Sequence, residues 1–340
     1  MGKGNTPMES VRALRARRTR RALLAAGAGA ALAVALPPGA TAAPSARGDD
    51  AAARAGASRR QGEGRTEGRT EGLSEQLSEQ LSALEREHSA RLGVFARNLR
   101  TGATVLHRAD ERFPMCSVFK TLAVAAVLRD LDRDGEFLGK RLRYTAEETE
   151  KSGYAPITGR SENLAHGMTV DALCDAAIRY SDNAAANLLL RELGGPRAIT
   201  RFSRSLGDGV TRLDRWEPEL NSAEPWRVED TTDPRHIAGT YTRLVLGDAL
   251  VRRDRQRLTG WLLNNTTSGA RFRAGLPKDW TLADKTGGGS YGTNNDVGIA
   301  WTPDRAPIVL AVLTTKHVPD APADDPLVAR TAELLAAALA

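Results

Sequence analysis

The chain has 340 residues, 41% of them hydrophobic and 5% aromatic, with 48 basic and 42 acidic side chains and a net charge of +6. The excess is local, because residues 1–43 hold seven basic groups and one acid and leave 41 of each sign in the remainder. A neutral body with few aromatics carries no electrostatic footprint for DNA or RNA, so nucleic acid is excluded as a partner.

In chain order, Lys3, Arg12, Arg15, Arg17, Arg18, Arg20 and Arg21 precede an Ala-rich apolar run from Ala22 to Leu36. This is the layout of an export signal with cleavage after Ala42 or Ala43. Thr19-Arg20-Arg21-Ala22-Leu23-Leu24 looks like a twin-arginine export motif. The apolar run is too short to span a bilayer, which needs about 20 apolar residues, and no Cys follows it for lipid attachment. The mature chain is therefore expected to be secreted, extracellular or periplasmic, with no membrane anchor.

Residues 44–72 contain the repeat Gly-Arg-Thr-Glu at 64–67 and 68–71 and almost nothing apolar, which predicts a disordered linker. The folded body starts at 73, where Leu73, Leu77, Leu81 and Leu84 recur at helical spacing. Two strand-like runs follow, Arg91–Asn98 and Ala103–Arg108, joined by the turn signal Leu99-Arg100-Thr101-Gly102. Helical patterns dominate from Ser117 to about Glu192, with Ser181-Asp182-Asn183 at a helix start. Strand character returns at Thr281–Lys285, Asp296–Trp301 and Ile308–Thr314, and a helix from Leu327 to Leu339 closes the chain. Strands at both ends of a helical middle predict an α/β fold of the α+β type. Five antiparallel strands would form one sheet, the two terminal helices would cover one face, and a helical subdomain of about 117–262 would be inserted, leaving a crevice between the two for the site.

The apolar run Met115-Cys116-Ser117-Val118-Phe119-Lys120-Thr121-Leu122 contains a hydroxyl and an ammonium where a core helix wants neither. Burying an unpartnered hydroxyl alone costs about 2–7 kcal/mol. Ser117 and Lys120 are three residues apart, so on a helix they share a face and can share a proton. Pro114 fits a helix start, which places Ser117 where free N–H groups favour developing negative charge. A lysine in an apolar wall has its pKa pushed down, which suits it to activate a neighbouring serine as nucleophile. Alone, S-x-x-K is a weak signal, and on it a snorkelling surface lysine is the better reading.

Two more motifs follow in order, Ser181-Asp182-Asn183 and, at the end of a predicted strand, Lys285-Thr286-Gly287. Ser181 offers a second hydroxyl able to pass a proton to a leaving amine. Lys285 offers positive charge for a substrate carboxylate, Thr286 a hydrogen-bond donor, and Gly287 with Gly288 a strand edge that a substrate can approach closely. The trio resembles the one shared by class A β-lactamases and penicillin-binding proteins. A fourth stretch, Glu217-Pro218-Glu219-Leu220-Asn221, matches the E-x-x-L-N loop that the β-lactamase branch has and transpeptidases lack. A carboxylate and an amide four residues apart can hold a water between them and aim it at an acyl-serine ester.

The resemblance covers about residues 75–340 and implies an exported serine β-lactamase of class A acting through an acyl-enzyme. It assigns Ser117 as nucleophile and Glu217 as base for the hydrolytic water with Asn221 as co-ligand. Lys120, Glu217 or both take the serine proton, and Ser181 with Lys285 protonates the departing nitrogen. It also implies substrate contacts at Asn183, Gly287 and Gly288, an aromatic gate at Tyr154-Ala155-Pro156, support for Lys285 from Arg271, and an Arg215–Asp230 pair closing the Ω-shaped loop. A D-alanyl-D-alanine peptidase or a penicillin-binding sensor of the same superfamily is the alternative, against which Glu217 argues. Cys116 and Cys174 lack the partners that family disulfides would need, at Gly289 and Val124, and read as small buried apolar groups. No cofactor or metal is implied, the partner is a small β-lactam, and the chain is expected to be a monomer.

Overall fold

The computed structural model describes residues 75–340, so the export signal and the 44–72 linker lie outside the described residues. Five strands, β1 (Arg91–Asn98), β2 (Thr104–His107), β3 (Thr281–Gly289), β4 (Thr293–Trp301) and β5 (Pro307–Thr315), form one antiparallel sheet of order β2-β1-β5-β4-β3. The first and last parts of the chain thus meet along the β1–β5 pairing, which matches the expected architecture. The β1–β2 turn is set by Asn98, whose Oδ1 accepts from the N–H groups of Arg100 and Thr101 at 2.9 and 3.1 Å. Gly102 takes the positive φ of +81° that closes it.

Alternation along the strands divides the core into two layers. Ile308, Leu310 and Val312 of β5 join Leu92, Val94 and Ala96 of β1 on the outer face, against Leu81, Leu84, Leu327 and Leu335. These last belong to the N-terminal helix α1 (75–87) and to the C-terminal helix. Val309, Ala311 and Leu313 point the other way, toward Ile237, Ala238 and Tyr241. Every strand of the sheet's middle is therefore covered on both faces, and β4 and β5 are buried almost throughout.

The inserted segment is helical. It contains α2 (Phe119–Ala126), α3 (Val170–Arg179), α4 (Asn183–Glu192), α5 (Arg197–Ser205), α6 (Pro234–Val245) and α7 (Arg252–Leu263). Caps set several of the starts: Thr169, Asp182 and Asp233 accept from backbone N–H groups in the first turns of α3, α4 and α6. All eight residues of α2 are buried, as expected of a helix that is apolar all round and surrounded by α3, α4, α5 and α7. α6 lies directly on the inner face of the sheet, so the last part of the insertion packs as a sheet-covering layer. The helix that carries Lys120 does not begin at Pro114. Phe113–Pro114 instead pairs with Thr231–Thr232, and a 3-10 turn, Cys116–Val118, intervenes before α2.

The C-terminal helix α8 (Asp325–Leu339) presses on the short helical turn Phe272–Gly275 that precedes β3. A Cβ on Gly275 would sit 2.0 Å from the Ala329 carbonyl oxygen and 3.0 Å from the Ala332 Cβ. Because the first obstacle is helix backbone, Gly275→Ala is expected to cost about 1–3 kcal/mol. Thermal denaturation should show a midpoint lowered by several degrees, and an unchanged midpoint would mean the helix can move away freely.

Candidate active site

Four segments converge at the crevice between sheet and helices: the 3-10 turn with α2, the start of α4, the loop 214–230, and β3. The centre of the arrangement is Lys120, which is wholly buried. Its Nζ donates to Asn183 Oδ1 at 2.6 Å and to the Ser181 carbonyl at 2.8 Å, and lies 3.4 Å from Ser181 Oγ. Glu217 Oε1 is 3.1 Å away, an ion pair with both side chains out of solvent. Burial lowers the Lys120 pKa below the usual lysine value, although the neighbouring Glu217 charge works in the opposite direction.

Ser117 lies in the 3-10 turn and is 7% exposed. The expectation that it shares a proton with Lys120 through a helical i,i+3 contact meets a different geometry. No hydrogen bond joins the two among the described residues, since the ammonium is drawn to Asn183, Ser181 and Glu217. The turn itself is pinned from two sides. Asn295 Nδ2 of β4 donates to the carbonyls of Pro114 and Met115 at 2.9 and 3.2 Å, and the Met115 N–H donates to the Asp230 carbonyl at 2.9 Å. Cys116 takes a positive φ of +45°, which turns the chain just ahead of Ser117.

At the start of α4, Ser181 also has a positive φ, +57°. Its Oγ accepts from Lys285 Nζ at 3.0 Å, so the hydroxyl stands between two ammonium groups. Lys285 is buried as well, donates to the Thr286 carbonyl at 2.9 Å, and has its pKa driven well below the usual lysine value by burial and by the nearby Lys120 and Arg271 charges. Asn183 holds Lys120 with its oxygen and donates from Nδ2 to the Ser152 carbonyl at 3.0 Å, so its amide is engaged within the protein. Tyr154 stands at the rim, 59% exposed, and its carbonyl accepts from the Asn183 N–H at 2.8 Å.

Along β3, Gly287 is required by proximity: a Cβ there would meet the Met115 carbonyl oxygen at 2.8 Å and the Ser117 nitrogen at 3.3 Å. Gly288 has ordinary room, with the nearest atom at 3.7 Å from such a Cβ. Thr286 is buried, its hydroxyl paired with that of Thr267. Arg271 donates to the carbonyls of Gly287 and Asn295 at 3.1 and 3.0 Å and to Asp325 at 2.8 Å, so it braces the strand edge from behind and adds charge near Lys285. Both cysteines are free and buried. Desolvation raises both thiol pKa values, which leaves them inert.

The loop 214–230 delivers Glu217. Arg215 donates from Nε to Asp230, whose other oxygen accepts from the N–H groups of Asp214 and Arg215 at 2.7 and 3.0 Å. Asp230 is 1% exposed while Arg215 keeps part of its side chain in solvent, so this pair forms a partly buried base of the loop. Asn221 donates its amide to Glu217 Oε2. Two buried oxygens, Glu217 Oε1 and Asn221 Oδ1, have no hydrogen-bond partner among the described residues. The Lys120 contact to Oε1 is thus an ion pair without hydrogen-bond alignment.

Sequence reasoning missed Asn187 and Asn295. Asn187 on α4 brackets the Glu217 peptide, accepting from its N–H at 3.0 Å and donating to its carbonyl at 2.8 Å. An amide within the apolar run Ala184–Leu190, four residues after Asn183, was the available signal. For Asn295 the signal was Thr293-Asn294-Asn295-Asp296, four polar residues opening a strand that proves buried in all but its last residue.

A family model described as "Beta-lactamase enzyme family" matches residues 76–339. A β-lactamase of Streptomyces lavendulae is 74% identical over 257 residues, covering 76% of this chain and 84% of that protein. One from Streptomyces fradiae is 61% identical over 324 residues, covering 95% and 98%. The solved structure of the β-lactamase from Streptomyces albus G superposes with a TM-score of 0.77 at 66% identity, over 78% of this chain and 100% of that one.

Lys120 offers a direct check on the site's electrostatics. Since burial lowers its pKa and Glu217 raises it, Glu217→Gln removes the raising influence and is expected to move the Lys120 pKa further down. Titration of the Lys120 side-chain carbon resonance by NMR reads this, and an upward movement would contradict the geometry.

Proposed function

The chain belongs to the β-lactamase enzyme family and is a serine β-lactam hydrolase of class A, and from that premise we propose how its residues divide the work. Ser117 attacks the lactam carbonyl, with the backbone N–H groups of Ser117 and Gly288 receiving the oxyanion. Lys120 and Glu217, in contact at 3.1 Å, form the proton-accepting pair. Ser181, bridged between Lys120 and Lys285, passes the proton to the departing nitrogen. Lys285, with Thr286 beside it, receives the substrate carboxylate, while Arg271 supports Lys285 through charge and by bracing the strand.

The single observation that carries the hydrolytic half of this reading is a pair of buried oxygens, Asn221 Oδ1 with no partner and Glu217 Oε1 touched only by the Lys120 ammonium at 3.1 Å. An unsatisfied buried acceptor costs about 1–3 kcal/mol. One water donating to both would satisfy them and stand beside the serine ester, where the Glu217 carboxylate can deprotonate it. Release of the acyl group, and with it resistance to the antibiotic, follows from that water. The same oxygens support the hydrolase over a peptidase or sensor that stays acylated.

Removal of the two groups must fail in different ways. Ser117→Ala is expected to gain no mass from benzylpenicillin and to lose turnover by more than roughly a thousandfold. Glu217→Ala is expected to carry one added penicillin for minutes or longer, because acylation proceeds with Lys120 while the ester meets no activated water. Intact mass spectrometry reads both. A wild type that itself holds the adduct for hours would mean a penicillin-binding peptidase or sensor.

Export belongs to the same proposal, supported by the basic cluster and apolar run of residues 1–43. Among the described residues no helix is long and apolar enough to cross a membrane. A monomer is part of the same proposal. N-terminal sequencing of protein from the medium should begin near Ala43 or Pro44, and material still carrying Met1 or Gly2 would reject cleavage. Loss of secretion in an Arg20→Lys, Arg21→Lys variant would assign the twin-arginine route, and unchanged secretion the general one.

A further inference from the structure

Behind Lys285, on the opposite face of the sheet, lie two aspartates that the mechanism above does not use. Asp284 and Asp296 are both 0% exposed. In the β3–β4 register Thr286 faces Asp296 and Asp284 faces Gly298. Alternation therefore puts Asp284, Thr286 and Asp296 on the outer face while Lys285 emerges on the inner one. Gly298 gives Asp284 no side-chain opponent, and a Cβ there would lie 2.8 Å from the Asp284 Cβ. The Asp284 carboxyl is free to lean toward its diagonal neighbour, and the two carboxyl groups come within hydrogen-bonding reach.

The two acids are not equivalent. Asp284 is satisfied on both oxygens, Oδ1 accepting from Arg273 Nη2 at 3.0 Å and Oδ2 from Asn265 Nδ2 at 2.8 Å. The Asn265 amide is oriented by its own oxygen, which accepts from the Thr267 N–H at 3.0 Å. Asp296 Oδ2 accepts from the Phe272 N–H at 3.2 Å, but Oδ1 has no donor among the described residues. Ionised carboxylates only accept, so two of them face to face would leave that oxygen orphaned and place two like charges together in the dry interior.

We propose that Asp284 and Asp296 hold one proton between them at neutral pH, carried on Asp296 Oδ1, and that the resulting singly charged dyad is a positioning element that leaves Lys285 without an internal counter-ion. The groups facing the dyad are consistent with it. Arg273 pairs with Asp284 and Arg271 with Asp325 of α8, Tyr241 of α6 lies on the far face, and Lys285 forms no salt bridge among the described residues. Burial raises the pKa of both acids, that of Asp296 well above the ordinary aspartate range with Asp284 as the second cause. On the reading of Lys285 given above, the substrate carboxylate then becomes the partner that this ammonium lacks. A second negative charge behind the strand would weaken that attraction.

The test uses the resting enzyme first, so that it does not depend on the assignment of Lys285. Infrared spectra of wild type labelled with carboxyl-¹³C aspartate are expected to show, at pH 7, the isotope-shifted C=O stretch of a protonated carboxylic acid. Asp296→Asn should abolish the band. Because Asn replaces a neutral acid by a neutral isostere, Asp296→Asn is expected to keep kcat and KM for benzylpenicillin within about twofold at pH 7. A folded wild type with no acid band overturns the proposal. So does a severalfold fall in KM with kcat unchanged in Asp296→Asn, because that would report removal of a negative charge. If Lys285→Ala leaves KM unchanged while the band persists, the link to the substrate carboxylate is overturned and the dyad stands.

Discussion

One buried ammonium, that of Lys120, is the constraint around which the molecule is arranged. A charge with no access to water must be surrounded by acceptors from the protein. Here they come from three separate stretches: the Ser181 carbonyl, the Asn183 amide oxygen and the Glu217 carboxylate. Each acceptor fixes the segment that bears it. Lys120 thereby ties the apolar helix α2 to the start of α4 and to the loop of Glu217, and while burial lowers its pKa, the Glu217 carboxylate pulls it back up.

The loop of Glu217 has little regular structure of its own, so its shape depends on what grips it. Arg215 and Asp230 close its base, Asn187 holds the Glu217 peptide on both sides, and the Ser290 N–H reaches the Asn221 carbonyl at 2.9 Å from the β3–β4 turn. Gly289 allows this approach, since a Cβ there would lie 2.7 Å from the Asn221 carbonyl oxygen. Hydrolysis needs a carboxylate held still enough to aim a water. The polar side chains that supply this stillness are mostly outside the catalytic motifs.

The sheet separates two kinds of electrostatics. Its inner face carries Lys285 into the crevice, and its outer face carries the two aspartates, which Arg273 meets from the turn before β3. Because side chains alternate along β3, residues 284 and 285 serve opposite faces while adjacent in sequence. The substrate edge can therefore be cationic although acids flank it in the chain.

Much was legible in the sequence because it was local. The strand-like runs at Arg91–Asn98 and Ile308–Thr314, the helical leucine spacing at 73–84 and the turn signal Leu99–Gly102 depend on near neighbours, and the short motifs carry their spacing with them. The reactive residue types at 117, 120, 181, 217 and 285 could be named for the same reason. What the sequence could not decide was which polar groups far apart in the chain meet in a dry interior. Lys120 turns to Glu217 and Asn183 rather than to Ser117, Asn295 holds a turn about 180 residues away, and Asp284 finds Asp296 across a strand pair. Those meetings are governed by desolvation, which exists only once the sheet and helices have closed around the groups and forced each buried charge or amide to take whatever partner the fold places beside it.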